Sequence, residues 1–372
     1  MVSIENTPLS KAKIFDKKGY ISYGFYSLDG RNFFVRNLVI PEMFFTELEN
    51  LVVKNKGHDE GIKELYRVGK RFGYRYAMFN RFPRGNINRL TLSTIFNFFV
   101  DAGYAKSIIL SNVDLISKTF ELQTENLVIT SKNGMGYVLT VGGVVGLCCQ
   151  LTSDYFLEGN VKKISNSRYV LTISNPEILK QRSIKYFTEN EIPQKINFSS
   201  YMQNNFPQET RSEALKSFGE LLKEGTLDYK PGIISVKESR ERVIIVEISL
   251  FFDIEETFDK ETVYNAAYLP FHNIGFHYTK YQNPLENLAE LFSAFGFGLV
   301  EVKEGVANKT TILFNGYPWY PKATEYTSFP ILRGAVEGFL NGNSERRYKA
   351  KIVSSNMVNN VFDVEIELEA VN

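Results

Sequence analysis

Two cysteines, three histidines and one tryptophan are all that 372 residues contain, and each scarcity removes a class of protein. Cys148 and Cys149 are adjacent, so they cannot staple distant segments together. With only His58, His272 and His277 elsewhere, they supply no metal-ligand set. Set in an apolar, small-residue stretch, they read as core fillers. No apolar run approaches the roughly 18 to 20 residues that cross a bilayer, and the N-terminal residues lack a basic-then-apolar signal pattern. No membrane span is expected, and the expected location is the cytoplasm. Charge of one sign is missing too: 43 Lys and Arg face 42 Asp and Glu, a net +1. That argues against a globally basic nucleic-acid binder but permits a local field. Neither a Gly-x4-Gly-Lys-Ser/Thr loop nor a helix-turn-helix is found, and no spacing suggests paired catalytic carboxylates.

Aromatics are plentiful, with 30 Phe and 21 Tyr, enough for a sizeable core in more than one unit. The chain also repeats itself. Phe15-Asp16-Lys17-Lys18-Gly19-Tyr20-Ile21-Ser22 returns as Leu227-Asp228-Tyr229-Lys230-Pro231-Gly232-Ile233-Ile234-Ser235. In each copy a second strand follows, Asn32 to Ile40 and Arg242 to Leu250. A glycine-marked helix comes next, with Gly69 matched to Gly275, and then an apolar helix that ends at Gly103 or Gly296. A small-residue helix around Gly142-Gly143 or Gly334-Ala335 and a closing strand, Arg168 to Ile173 or Val361 to Ile366, complete the match. A period this long marks a domain duplication rather than a solenoid.

Three segments result: residues 1–175, a connector 176–226, and residues 227–372. The connector carries Ala214, Leu215, Phe218, Leu221 and Leu222 at helical spacing, stopped by Gly225, which makes Glu209 to Glu224 the leading helix of the second copy or else a helical spacer. Each copy reads as strand, strand, helix, helix, strand, strand or loop, helix, strand. Adjacent opening strands favour an antiparallel hairpin with the helices packed on one face of the sheet. The expected fold is α+β, two tandem copies of an antiparallel sheet with helices packed on it, arranged as a pseudo-two-fold dimer.

This order, with "IPEMFFTELENLV" and "IKELYRVGKRFGYRYA" over Leu38 to Tyr74 and the Gly-rich helix at Gly143 to Gly146, resembles the 4-vinyl reductase domain and the segment preceding it in aromatic-effector sensors. The resemblance covers nearly the whole chain through two copies. It implies a fold shared with core subunits of vesicle-tethering complexes, a hydrophobic pocket that in some members takes small aromatic or porphyrin-like ligands, and dimerisation through helices; it does not imply reductase chemistry. Aromatic sensors of that family hold zinc through a Glu-x2-Cys-x7-Cys cluster. The matching positions here are Glu158, Val161 and Tyr169 in the first copy and Lys351, Ser354 and Phe362 in the second. Without thiolates no zinc site is expected, and no cofactor is expected either.

Three site candidates emerge. The first is the basic, aromatic stretch from Lys54 to Arg89, whose Lys63, Arg67, Lys70, Arg71, Arg75, Arg81, Arg84 and Arg89 suit phosphate or nucleic-acid binding, with interleaved aromatics to stack on bases. A helix with aromatics toward the core and cations toward water produces the same interleaving. The second is an apolar ligand pocket in each copy, lined by Phe72, Tyr76, Phe96, Phe99 and Tyr104 in the first and by Phe276, Phe292, Phe295 and Trp319 in the second; filled core is the plainer reading of the same residues. The third, His272 with His277, lies at a spacing that does not share a helix face. The expected function is a non-enzymatic regulatory or binding protein that engages a small hydrophobic ligand or a protein partner. Alternatives are a nucleic-acid-binding factor acting through residues 54–89 and a structural adaptor, and the pseudo-dimeric chain is a candidate for further homodimerisation.

Overall fold

The computed structural model describes residues 14–23, 35–79, 82, 84–85, 87–127, 137–183, 215–304, 310–318, 328–358 and 361–371. Among these residues no helix is long and apolar enough to cross a membrane.

The first copy runs β1 (Ile14–Lys17), β2 (Tyr20–Tyr23), β3 (Val35–Pro41), α1 (Glu42–Lys56), α2 (His58–Phe79), α3 (Arg89–Asp101), β4 (Ser107–Asp114), β5 (Thr119–Glu125), α4 (Tyr137–Thr152), β6 (Glu158–Lys163) and β7 (Arg168–Ser174). Two short helices follow, α5 (Pro176–Gln181) and α6 (Phe218–Glu224). The second copy repeats the order as β8 (Leu227–Lys230), β9 (Ile233–Val236), β10 (Arg242–Glu247), α7 (Ile248–Thr257), α8 (Lys260–His277), α9 (Pro284–Ala294), β11 (Leu299–Glu304), β12 (Thr310–Asn315), α10 (Pro330–Asn343), β13 (Arg347–Val358) and β14 (Val361–Val371). Each copy therefore has one strand and one helix more at its start than the sequence pattern suggests, and one strand more before its closing strand. The opening repeat splits into a hairpin at Gly19 and at Gly232, both with positive φ, and the second strand of the second copy turns into α7 at Ile248 instead of running to Leu250.

Each copy closes its own four-stranded antiparallel sheet, ordered β4-β5-β7-β6 and β11-β12-β14-β13. The third sheet belongs to both. Its order is β1-β2-β3-β10-β9-β8, with β3 and β10 antiparallel and Val39 opposite Ile245. These two residues are also each other's counterparts: Val39 donates its N–H to Phe295 and Ile245 donates to Ala102, at 2.9 and 3.1 Å. The pseudo-two-fold axis thus passes between β3 and β10. Each hairpin seats on the helix–strand corner of the other copy. A Cβ on Gly19 would lie 2.6 Å from Gly298, and one on Gly232 would lie 1.9 Å from the Ala105 carbonyl oxygen.

Two buried arginines fasten the exchange. Arg36 donates to the carbonyls of Gly19, Gly296 and Gly316 at 3.0 to 3.1 Å. Arg242 donates to those of Gly103 and Asn126 at 2.7 and 2.9 Å, with Gly232 at 3.4 Å. Gly296 and Gly103 are equivalent residues just beyond α9 and α3, so each arginine ties its own hairpin to the other copy. Burial pushes the Arg36 guanidinium down to about 10, still charged near neutrality.

The helix predicted over Glu209 to Glu224 begins at Phe218, where Ser217 and Glu220 form a capping box; residues 209–214 lie outside the described set. α6 also crosses between copies, because the Asp16 carboxylate on β1 accepts from the N–H groups of Phe218 and Gly219. Within each copy the long helices pair through small residues four apart. Gly142 and Gly146 sit over the carbonyls of Tyr66 and Lys70, and Gly334 and Gly338 over those of Tyr264 and Tyr268, too close for any Cβ. Replacing Arg36 by Met leaves three buried carbonyls unpaired, and Arg242→Met leaves an equivalent set. Each variant is expected to lose roughly 3 kcal/mol or more of unfolding free energy in urea titrations, and a loss confined to about 0.5 kcal/mol would contradict the fastening role.

Candidate functional site

In the first copy the five aromatics expected to line a pocket do meet, around a cavity of about 60 Å³. α2 is helical through this region, so Phe72 and Tyr76 fall one turn apart on its inner face. Phe96 and Phe99 come from α3, and Tyr104 from just beyond the Gly103 turn. Tyr76 and Tyr104 flank Phe99 with ring centroids 5.3 and 5.4 Å from it. α4 supplies the opposite wall with Thr140, Gly143, Val144 and Leu147. The floor comes from the shared sheet and the other copy: Ile244 on β10 and Leu250 on α7.

The second copy shows why this space exists. Tyr66 lies under Gly142 as Tyr264 lies under Gly334, and Lys70 under Gly146 as Tyr268 under Gly338. Counting along the paired helices from these contacts puts Phe271 at the position of Gly73 and Phe339 at that of Leu147. Gly73 and Leu147 both line the cavity. In the second copy Phe271, Phe292, Phe297 and Phe339 pack ring against ring, with Phe292 lying 5.3, 4.9 and 5.7 Å from the other three. Among the described residues, aromatic rings occupy the positions that the cavity takes in the first copy.

The pocket expected in the second copy is therefore not assembled from its named residues. Phe292 and Phe295 are fully buried within packed core, whereas Phe276 is 64% exposed on the outer side of α8; helix periodicity turns it away from Phe271, the α8 residue that packs on Phe292. Trp319 lies outside the described residues. In the first copy the cavity lining brings three hydroxyl-bearing side chains, Tyr76, Tyr104 and Thr140. Burial, and then the Glu247 carboxylate, push the Tyr104 phenol well above the usual tyrosine range, so it stays a neutral donor.

The cationic stretch is dispersed rather than gathered on one outward face. Lys70 is buried, 2.9 Å from Glu158, which also accepts from the Tyr66 hydroxyl at 2.5 Å. Arg71 donates to the Thr257 hydroxyl at 2.9 Å and Arg75 pairs with Asp253, both on α7 of the second copy. Arg84 donates to the Tyr155 hydroxyl and Arg89 to the Leu110 carbonyl at 2.9 Å. Lys63 is exposed and Arg67 half-buried; Arg81 lies outside the described residues. α2 is covered by α1, α4 and α7 together, so side chains that a single helix pattern assigns to water meet protein instead. Glu158, matched above to a zinc-ligand position, is occupied by this network. His272 stacks on Tyr268 at 6.0 Å while His277 stands edge-on to Phe276. Burial pushes both thiols up, Cys149 to about 12, which leaves them inert.

Asp253 carries the junction's unusual chemistry. Burial raises its carboxyl to about 6 against the opposing pull of Arg75 and Arg71. A carboxyl raised in the fold favours the protonated state there, so its contribution to stability is present below about pH 4 and lost as pH rises through about 6. Relative to Asp253→Asn, the native chain is expected to lose up to about 3 kcal/mol between pH 4 and pH 7 in urea titrations; a flat difference across that range would contradict the assignment.

Set beside known proteins, the chain finds no match: no family model, no curated protein and no solved structure matches it.

Proposed function

We propose that the protein is a non-enzymatic binding protein whose first copy holds a small, uncharged, largely apolar ligand, with the second copy as its filled scaffold. The observation that carries this reading is the divergence at two equivalent positions: Gly73 and Leu147 leave a cavity where Phe271 and Phe339 fill the core. Well-packed interiors keep few voids larger than a water molecule, and an opening in the first copy at positions that the second fills with aromatic rings points to use. Among the described residues, the lining bears no carboxylate, imidazole, thiol or amine, which fits holding an uncharged ligand. The Tyr104 hydroxyl offers a hydrogen bond to an acceptor on the ligand. A pocket for small aromatics is also what the resemblance to 4-vinyl reductase domains implies.

The nucleic-acid reading draws less support, because Lys70, Arg71 and Arg75 are engaged inside the molecule. A cavity of about 60 Å³ is smaller than the roughly 150 Å³ that accepts benzene in an engineered core, so a ring-sized ligand enters with a rotamer change of a lining ring such as Phe99.

Indole, p-cresol and toluene are the probes of choice. At least one is expected to raise the melting temperature in proportion to the logarithm of its concentration. Leu147→Phe, which installs the residue found at this position in the second copy, is expected to remove the response while preserving the circular-dichroism spectrum. No response to any of the three, or an undiminished response in Leu147→Phe, would defeat the proposal.

A further inference from the structure

The cavity and the junction between the copies use the same two helices. On α2, Phe72 and Tyr76 face the cavity, while their immediate neighbours Arg71 and Arg75 grip α7. On α7, Leu250 reaches the cavity, and Asp253 and Thr257 receive the arginines. Residues 250, 253 and 257 share one helical face, so a turn of α2 that widens the cavity must shift the arginines against that face as well.

That contact is incomplete. Arg71 Nε is a buried donor without an acceptor, and Asp253 Oδ2 is a buried acceptor without a donor. Each supplies what the other lacks, and their charges already interact. Buried polar atoms are nearly always paired, so an unmatched complementary couple at one contact marks an arrangement with a second, better-paired setting close by.

We infer that the junction is a two-position latch read by the cavity: a ring-sized occupant turns α2 against α7 and brings Arg71 Nε to Asp253 Oδ2, so that binding in the first copy tightens its hold on the second. This rests on the ligand-binding reading, and it adds an output to it. The ligand's presence is passed to the other half of the molecule through a contact that the ligand never touches.

The test separates the two ideas. Leu147→Phe serves as a covalent occupant, and Arg71→Lys keeps the charge but removes Nε. The Arg71–Thr257 bond is lost equally in either background and cancels in a double-mutant cycle. Arg71→Lys is expected to lower the folding equilibrium constant at least about fivefold more in the Leu147→Phe background than in the native one. Additive effects, within about twofold, would overturn the latch. Should Leu147→Phe not fold, Val144→Ile, a one-methylene fill of the same wall, enters the cycle in its place with the same criterion. Indole binding together with an additive cycle would leave the pocket standing and the latch refuted. Coupling without indole binding would support the latch and remove the ligand reading. In the native chain with bound indole, slower amide exchange over 252–257 is expected, and unchanged exchange would count against the latch.

Discussion

The exchange of hairpins through Arg36 and Arg242 is the constraint on which the other features of the molecule rest. A guanidinium holds its donors in a fixed fork, and each of these two donates to backbone carbonyls from both copies, with the Glu42 carboxylate 3.7 Å from Arg242 as well. Carbonyls at a hairpin turn, a helix end and a strand end can satisfy it only if all three are already in place. The shared sheet, the two helix corners and the pseudo-axis at Val39 and Ile245 therefore form together or not at all. Each copy contributes an incomplete half, which explains why the two lie in one chain as partners and not as beads on a string.

Within that frame the copies differ where equivalent positions hold different volumes. Both pair their long helices through glycines four apart, because only the absence of a Cβ lets a helix backbone rest on the carbonyls of its neighbour. Beyond that seam, the second copy fills the space between helices and sheet with interlocking phenylalanines, and the first leaves it open beside Phe99 and Tyr104. Duplication allowed this: one half keeps a filled core that holds the shared sheet rigid, and the other can carry a defect of packing that a single domain would bear alone. The floor of the cavity comes from Ile244 and Leu250, so the open half leans on the filled one even for its lining.

Sequence comparison alone reached much of this and missed the rest for identifiable reasons. The five lining aromatics of the first copy were legible because helical spacing and the Gly103 stop put them on inner faces. Phe276 misled because its ring suggested core, while its place on α8 turns it to water. The match of Gly69 to Gly275 was off by about two turns; the structure puts Ala267 where Gly69 stands, and only in that register do Phe271 and Phe339 appear as replacements for Gly73 and Leu147. Loose motifs on amphipathic helices align nearly as well when slid by a turn, since the pattern repeats. Contacts between helices break that degeneracy.

The amino-acid sequence by itself determined that the chain is a duplication of an α+β unit, with helices stopped where Gly103, Gly225 and Gly296 require, because those signals act within a few residues. Only the tertiary structure decided that the copies exchange hairpins, that Lys70, Arg71 and Arg75 point into protein, and that one apolar cluster is hollow while its twin is filled. Periodicity shows which side chains share a face of a helix. How many neighbours cover that face, and from which copy they come, depends on long-range packing that no local pattern encodes.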